Sequence, residues 1–281
     1  MRINLKKFKV EFVRGLSSIY NKEEAVALFS WLSEDLLHLK TYDFLLQTEV
    51  DIDTNHLHIF QQAKSRLLKQ EPIQYILGYT EFFGLKINVT PDVLIPRPET
   101  EELVQWVLED YKAQVHQLSL IDIGTGSGCI PIALAKNLPH AKVMGLDISE
   151  HALQLAVSNS ELHRAKVEFI KSDVLQLKAL PEVDVIVSNP PYVKFDEHLK
   201  MKDNVLKHEP HLALFVANDD PLIFYKKIAE LALKAKKKPV VYVEISQYFA
   251  EDTSQLFKDF GFEQVEIKKD FRGNDRMLKA Y

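Results

Sequence analysis

Apolar positions over residues 1–75 recur at helical spacing, with little of the alternation that marks strands. Ala25, Leu28, Phe29, Leu32, Leu36 and Leu37 fall on one stripe. A second stripe, Leu57, Phe60, Leu67 and Leu68, follows Asp53 and Thr54, residues suited to capping a helix start. The pattern predicts a small helical bundle. EFFGLKINV (81–89) then combines β-branched and aromatic residues around Gly84, which predicts a hairpin or bent ribbon. From about residue 92 the texture becomes strand–helix alternation. Strands are expected at LSLIDIG (118–124), AKVMGLDIS (141–149), KVEFIKSD (166–173), VDVIVSN (183–189) and PVVYVEIS (239–246), with GFEQVEI and DRMLKAY closing the chain. Helices are expected at IPIALAKNL (130–138), from His151 to His163, from Ile223 to Lys237, and up to Phe260. Strands separated by helix-length segments imply parallel βαβ units in a doubly wound α/β sheet.

Composition narrows the class of protein. A chain of 281 residues, 46% of them hydrophobic, can bury one large core or two modest ones. With 35 basic against 40 acidic residues, the net charge of −5 argues against a surface built throughout to grip a phosphate backbone. The single cysteine, Cys129, excludes internal disulfides and multi-cysteine metal sites; next to the glycine turn it reads as a packed small residue. No apolar run approaches the roughly 18–20 residues that span a bilayer. The basic start, MRINLKKFKV, reads as an ordinary first helix, since Glu11, Glu23 and Glu24 follow it. A soluble, cytoplasmic protein is expected. KAKKKP (234–239) reads as a solvated helix end complementing the helix dipole.

The chemistry starts at IDIGTGSGC (121–129). Gly124, Gly126 and Gly128 remove side chains where a strand turns into a helix, so a ligand can approach the backbone. The turn lacks the lysine of a phosphate-gripping P-loop. Asp147, ending the second strand, can accept hydrogen bonds from both ribose hydroxyls of an adenosine, and Asp173, ending the third, can accept from an adenine amino group. Each carboxylate taken singly could equally be a cap or turn residue. NAD would suit the glycines and Asp147 as well. The stretch SNPPY (188–192), directly after a buried strand, argues otherwise: an amide, two prolines and a phenol ring form a stiff clamp, with no acid–base residue for hydride transfer. Those groups suit S-adenosyl-L-methionine and an acceptor nitrogen.

Residues 72–104, PIQYILGYTEFFGLKINVTPDVLIPRPETEELV, closely resemble the linker and entry segment of the HemK/PrmC family, the peptide chain release factor glutamine methyltransferases. The resemblance continues through DIGTGSGCIPIALA (122–135), SNPPY, EPHLALF (209–215), VEI (243–245) and NDRM (274–277), and so covers nearly the whole chain. NPPY alone is shared with adenine-N6 methyltransferases; its combination with QYILG and IPRPETE is far more specific. One departure is the loop FVANDDPLIF (215–224), stiffened by Pro221, where many relatives carry glycines followed by DGL.

The resemblance implies a seven-stranded, doubly wound Rossmann-like methyltransferase domain over 96–281, joined by a β-hairpin linker (76–95) to an N-terminal helical substrate-recognition domain (1–75). It implies that Gly124, Thr125, Gly126, Ser127, Gly128 and Asp147 bind S-adenosyl-L-methionine, with Asp173, Val174 and Asn189 completing the cofactor site. Asn189, Pro190, Pro191 and Tyr192 would bind the acceptor, the glutamine of the Gly-Gly-Gln loop of class 1 release factors. Catalysis would rest on Asn189, Pro190 and Tyr192: the Asn189 side-chain carbonyl and the Pro190 backbone carbonyl each accept one N–H of the acceptor amide, and the ring of Tyr192 keeps it aligned. No strong base is needed, because the methylated nitrogen cation sheds its proton readily.

Arg97 and Glu99 either close over the site or serve the helix start at Pro98. His208, Glu209 and His211 lack metal-site spacing, and no metal is expected. Two other readings compete: an adenine-N6 methyltransferase acting on DNA or RNA, which would show a base-recognition domain and a basic cleft, and a non-catalytic binding module. Neither a base-recognition domain nor a basic cleft is evident, so no direct nucleic-acid binding is expected, and a monomer with release factors as its protein partner is expected.

Overall fold

The computed structural model describes residues 1–46, 48–113 and 117–281. It divides into two compact units, Met1–Gly78 with Lys202–His208, and Tyr79–Met201 with Glu209–Tyr281.

In the first unit, helices Leu5–Leu16, Lys22–Leu37 and Thr54–Leu67 and the short Ile73–Leu77 enclose an apolar core. Each of the three long helices starts at a residue whose side chain takes up an otherwise unpaired N–H: Asn4 accepts from Lys7, Asn21 from Glu24, and Asp53 from Asn55. Phe8, Phe12, Phe29, Phe44 and Phe60 meet at the centre with rings tilted or edge-on. Two features differ from the sequence pattern. Leu68 is exposed, and Ala63 occupies the inner face in its place. Arg2–Asn4 is a strand, paired antiparallel with Glu49–Asp51. A three-residue strand paired across such a separation leaves no local periodicity to read. In Lys202–His208, the His208 Nε2 lies 3.0 Å from the Lys69 carbonyl oxygen.

The second unit opens with a hairpin, Tyr79–Phe82 against Leu85–Asn88. Phe83 and Gly84 form its turn with φ of 51° and 72°, the left-handed pair that a two-residue hairpin loop requires. The main sheet follows. Its strands in chain order are β1 (Ser119–Ile123), β2 (Lys142–Asp147), β3 (Val167–Lys171), β4 (Val185–Ser188), β5 (Val240–Glu244), β6 (Val265–Lys269) and β7 (Asp275–Ala280). Across the sheet they run β6-β7-β5-β4-β1-β2-β3. The central strands are apolar on both faces because helices cover both. Pro98–Tyr111 and Cys129–Asn137 pack on one side, Ile223–Lys234 and Ala250–Asp259 on the other. Only β7 runs against the rest. The link from β6 is too short for a crossover, so the chain must return as a hairpin, through a turn held by Asp270.

The sheet's carboxyl edge is where open α/β folds bind ligands. Asn159, fully buried, braces this edge: its side chain donates to the carbonyls of Asn88 and Ser127 and accepts from the Asn88 N–H. The hairpin's end is thereby tied to the glycine turn.

Candidate active site

At the end of β1 the N–H groups of Gly124 and Thr125 donate to the Leu146 carbonyl of β2, at 2.8 and 3.0 Å, so the chain leaves the sheet in a sharp turn. Gly128 sits at φ 81°, and a Cβ there would stand 3.0 Å from that of Ala156; only glycine suits both demands. Gly126 presents its N–H to Asp147 Oδ2 at 2.8 Å, while the Ser149 N–H holds Oδ1 at 2.9 Å. Asp147 is thus a turn residue and a cavity wall at once, its carboxylate aimed by two backbone donors. Asp173 Oδ1 accepts from the Leu175 N–H at 2.9 Å and starts the single turn Val174–Gln176.

Gly124, Gly126, Asp147, Asp173 and Val174 line a cavity of about 480 Å³, with Asn189, Pro190 and Pro191 on another wall. That volume suits a cofactor-sized ligand. Thr125, Ser127, Gly128 and Tyr192 do not line it. Thr125 and Ser127 lie behind the turn, where their hydroxyls are buried along with both carboxylate oxygens of Asp122. Burial, partly offset by Thr125, pushes the Asp122 carboxyl up to about 7. The adjacent Cys129 thiol is raised to about 12 by burial and by Asp122, an inert packed thiol.

Ser188 ends β4 with its hydroxyl on the Ile123 carbonyl, at 2.6 Å, pinning the start of NPPY to β1. Asn189 Nδ2 donates to Thr100 Oγ1 at 3.0 Å, and Thr100 donates to Glu244 Oε2 at 2.6 Å. Tyr192 donates its hydroxyl to the other oxygen of Glu244, at 3.0 Å. The ring stands partly buried against the sheet's core rather than on the cavity wall. Burial raises the Tyr192 phenol well above its usual range, with the Glu244 charge adding to the effect.

Arg97 caps the helix from Pro98 only with its backbone; its Nη2 donates to both oxygens of Glu209, at 2.6 and 2.7 Å. Glu209 is 3% exposed, and the residues that follow it, Pro210, Leu212 and Ala213, line the cavity. The pair therefore holds a loop in place, and neither residue lines the cavity itself. Glu99 lies 3.9 Å from Arg272 and is absent from the cavity wall. Among the described residues no group of three or more His, Cys, Asp or Glu could hold a metal. In KAKKKP, Lys234 pairs with Glu230 and Lys237 with Asp184. Sequence reasoning missed the wall formed by Pro91, Asp92, Val93 and Leu94. Its only signal was a proline-bearing apolar run just before IPRPETE.

Residues 101–212 match the methyltransferase small domain, and residues 13–78 match the PrmC N-terminal domain. The chain is 44% identical over 280 residues to a release factor glutamine methyltransferase from Flavobacterium psychrophilum, with 98% of each chain covered. This chain belongs to the release factor glutamine methyltransferase family. A family member from Bacteroides thetaiotaomicron is 42% identical over 270 residues, covering 95% of this chain and 96% of that one. Among solved structures, the human methyltransferase 10 domain containing protein superposes with a TM-score of 0.54 at 20% identity, over 71% of this chain and 90% of that one. That likeness speaks to the fold, the Rossmann-like α/β sheet expected from the sequence. The methyl donor of this release factor glutamine methyltransferase is S-adenosyl-L-methionine, and the cavity fits it. Two oriented carboxylates can meet ribose hydroxyls and an adenine amino group, Val174 offers an apolar face, and the glycine backbone leaves room for close approach.

Proposed function

We propose that the protein transfers a methyl group to the side-chain amide nitrogen of the glutamine in the Gly-Gly-Gln loop of class 1 release factors, in support of translation termination. The observation that carries this reading is the orientation of Asn189. Its Nδ2 is occupied by Thr100, which leaves its carbonyl oxygen for the cavity that Asn189 helps to line.

S-adenosyl-L-methionine, when bound, supplies an electrophilic sulfonium methyl and keeps the C–S bonding pair as a neutral thioether. Gly126, Asp147, Asp173 and Val174 would hold its nucleoside end, and Asn189 lines another wall of the same cavity. The acceptor amide nitrogen is a weak nucleophile, its lone pair delocalised into the carbonyl. Asn189 Oδ1 and the Pro190 carbonyl each accept one of its N–H bonds. They fix the nitrogen for in-line attack and favour the positive charge that grows on it. The proton then passes to water without a protein base. Pro190 and Pro191 stiffen the clamp, and Tyr192 braces it from behind through Glu244.

The N-terminal unit, in this reading, recognises the protein substrate. The partner is a release factor rather than nucleic acid, the chain acts as a monomer, and it works in the cytoplasm; no helix of the described residues is long and apolar enough to cross a membrane. Incubation with labelled S-adenosyl-L-methionine and either release factor or nucleic acid tests the proposal. Peptide mapping should place the label on the Gly-Gly-Gln glutamine alone. Label on an adenine, or on lysine or arginine of the factor, overturns it.

A further inference from the structure

Glu244 ends β5 with its side chain 2% exposed, and neither the cavity wall nor NPPY contains it. Each carboxylate oxygen accepts a hydroxyl proton, one from Thr100 and one from Tyr192. A hydroxyl has a single proton to give. Once Thr100 has given its proton to Glu244, Thr100 Oγ1 can only accept toward Asn189. The neighbouring arm of the Asn189 amide must therefore be its NH₂, with the carbonyl oxygen on the opposite side. Flipping the amide would set two acceptors against each other with no proton between them. The polarity of the acceptor clamp is thus dictated from a carboxylate two hydrogen bonds away.

We propose that Glu244 and Thr100 are positioning residues for methyl transfer, which orient Asn189 so that its carbonyl oxygen, rather than its NH₂, meets the acceptor amide. The proposal rests on Asn189 being the acceptor's partner, as argued above. A chain of hydrogen bonds anchored on an anion also polarises each member, so the Asn189 oxygen becomes a better acceptor for an N–H gaining positive charge.

Protonation of Glu244 would undo this. A protonated carboxyl must itself donate, and it frees the Thr100 hydroxyl to turn its proton toward Asn189. The charged and titratable groups facing Glu244 are Tyr192, Arg276, Glu99 and Tyr225. Arg276 is itself engaged by Asp270 and the Ile245 carbonyl, and Arg97 acts on Tyr192. Burial, the largest influence, raises the Glu244 carboxyl above its ordinary value; the two hydroxyls and Arg276 oppose this. Activity should therefore fall as pH drops through that raised value.

The test compares the unaltered protein with Glu244→Gln, Thr100→Val and Thr100→Ser. It reads kcat and KM for release factor across pH, S-adenosyl-L-methionine affinity by calorimetry, and melting temperature. Glu244→Gln and Thr100→Val should lower kcat by about 10²-fold, the scale of a misplaced reacting group, with cofactor affinity and KM moving far less. Thr100→Ser should restore most of what Thr100→Val loses, because it returns the hydroxyl without the methyl. The acid limb of kcat should be absent in Glu244→Gln. If that variant does not fold, the near-isosteric Thr100→Val decides. Thr100→Val that is folded and keeps kcat within threefold overturns the proposal, as does an unchanged acid limb in folded Glu244→Gln. An unaltered protein that leaves the release-factor glutamine unmethylated would instead refute the functional reading beneath it.

Discussion

Asn189, held by one hydrogen bond to Thr100, and Asp147, held by two backbone N–H groups, both line the cavity, and their separate roles can be told apart by mutation. Asn189→Ala should cut methyl transfer by about 10²–10³, the cost of one preorganised hydrogen-bonding group, while calorimetry shows a much smaller change in cofactor affinity. Asp147→Ala removes a charged acceptor worth about 1.5–3 kcal/mol per bond, so S-adenosyl-L-methionine affinity should fall by about tenfold or more. Unchanged affinity in a folded variant would reject that assignment. Asp122 offers a stability test with a definite sign. Its folded carboxyl sits at about 7, above the ordinary 3.8, because burial outweighs the help of the Thr125 hydroxyl. Its contribution is therefore complete below the ordinary value and is lost as pH rises through about 7. Melting temperature should fall over that window in the unaltered protein and fall less in Asp122→Asn.

At the scale of elements, Arg97 and Glu209 join the start of one helix to the loop that carries Pro210, Leu212 and Ala213 onto the cavity wall. Arg97→Met keeps the aliphatic stem but strands a buried carboxylate. Thermal unfolding should report a loss of about 1–3 kcal/mol, with cofactor affinity weakened as the loop loosens. The elements themselves were largely legible in the chain, because continuous apolar runs such as VIVS and glycines between strand and helix are local signals. What was not legible is long-range pairing. Nothing near Thr100 indicates that its hydroxyl meets Glu244, 144 positions away. Asp147 and the glycines could be assigned to one edge from the order of strands alone. Tyr192 could not be placed, since its phenol turns to a buried carboxylate that periodicity shows only as the end of an apolar strand. The pairing of Arg2–Asn4 with Glu49–Asp51 escaped for the same reason.

At the scale of the whole molecule, the residues proposed to carry the chemistry all belong to the unit containing the sheet, and the N-terminal unit holds a core of its own. It does carry an apolar surface. On the short helix Asp43–Leu46, Phe44 points into the core while Leu45 and Leu46 are 81% and 79% exposed, and Tyr42 just before them is exposed as well. Neighbouring exposed leucines are costly to hydrate and mark a protein-binding surface when they cluster. If this unit recognises the release factor, Leu45→Asp combined with Leu46→Asp should raise KM for the intact factor by about tenfold, the cost of losing a contact worth just over 1 kcal/mol. Methylation of a short peptide bearing only the Gly-Gly-Gln loop should be untouched, since the peptide engages the clamp alone, and cofactor affinity should not change. Equal losses on peptide and intact factor would mean that the substitutions disturb the site, and unchanged KM for the intact factor would remove this surface from substrate recognition.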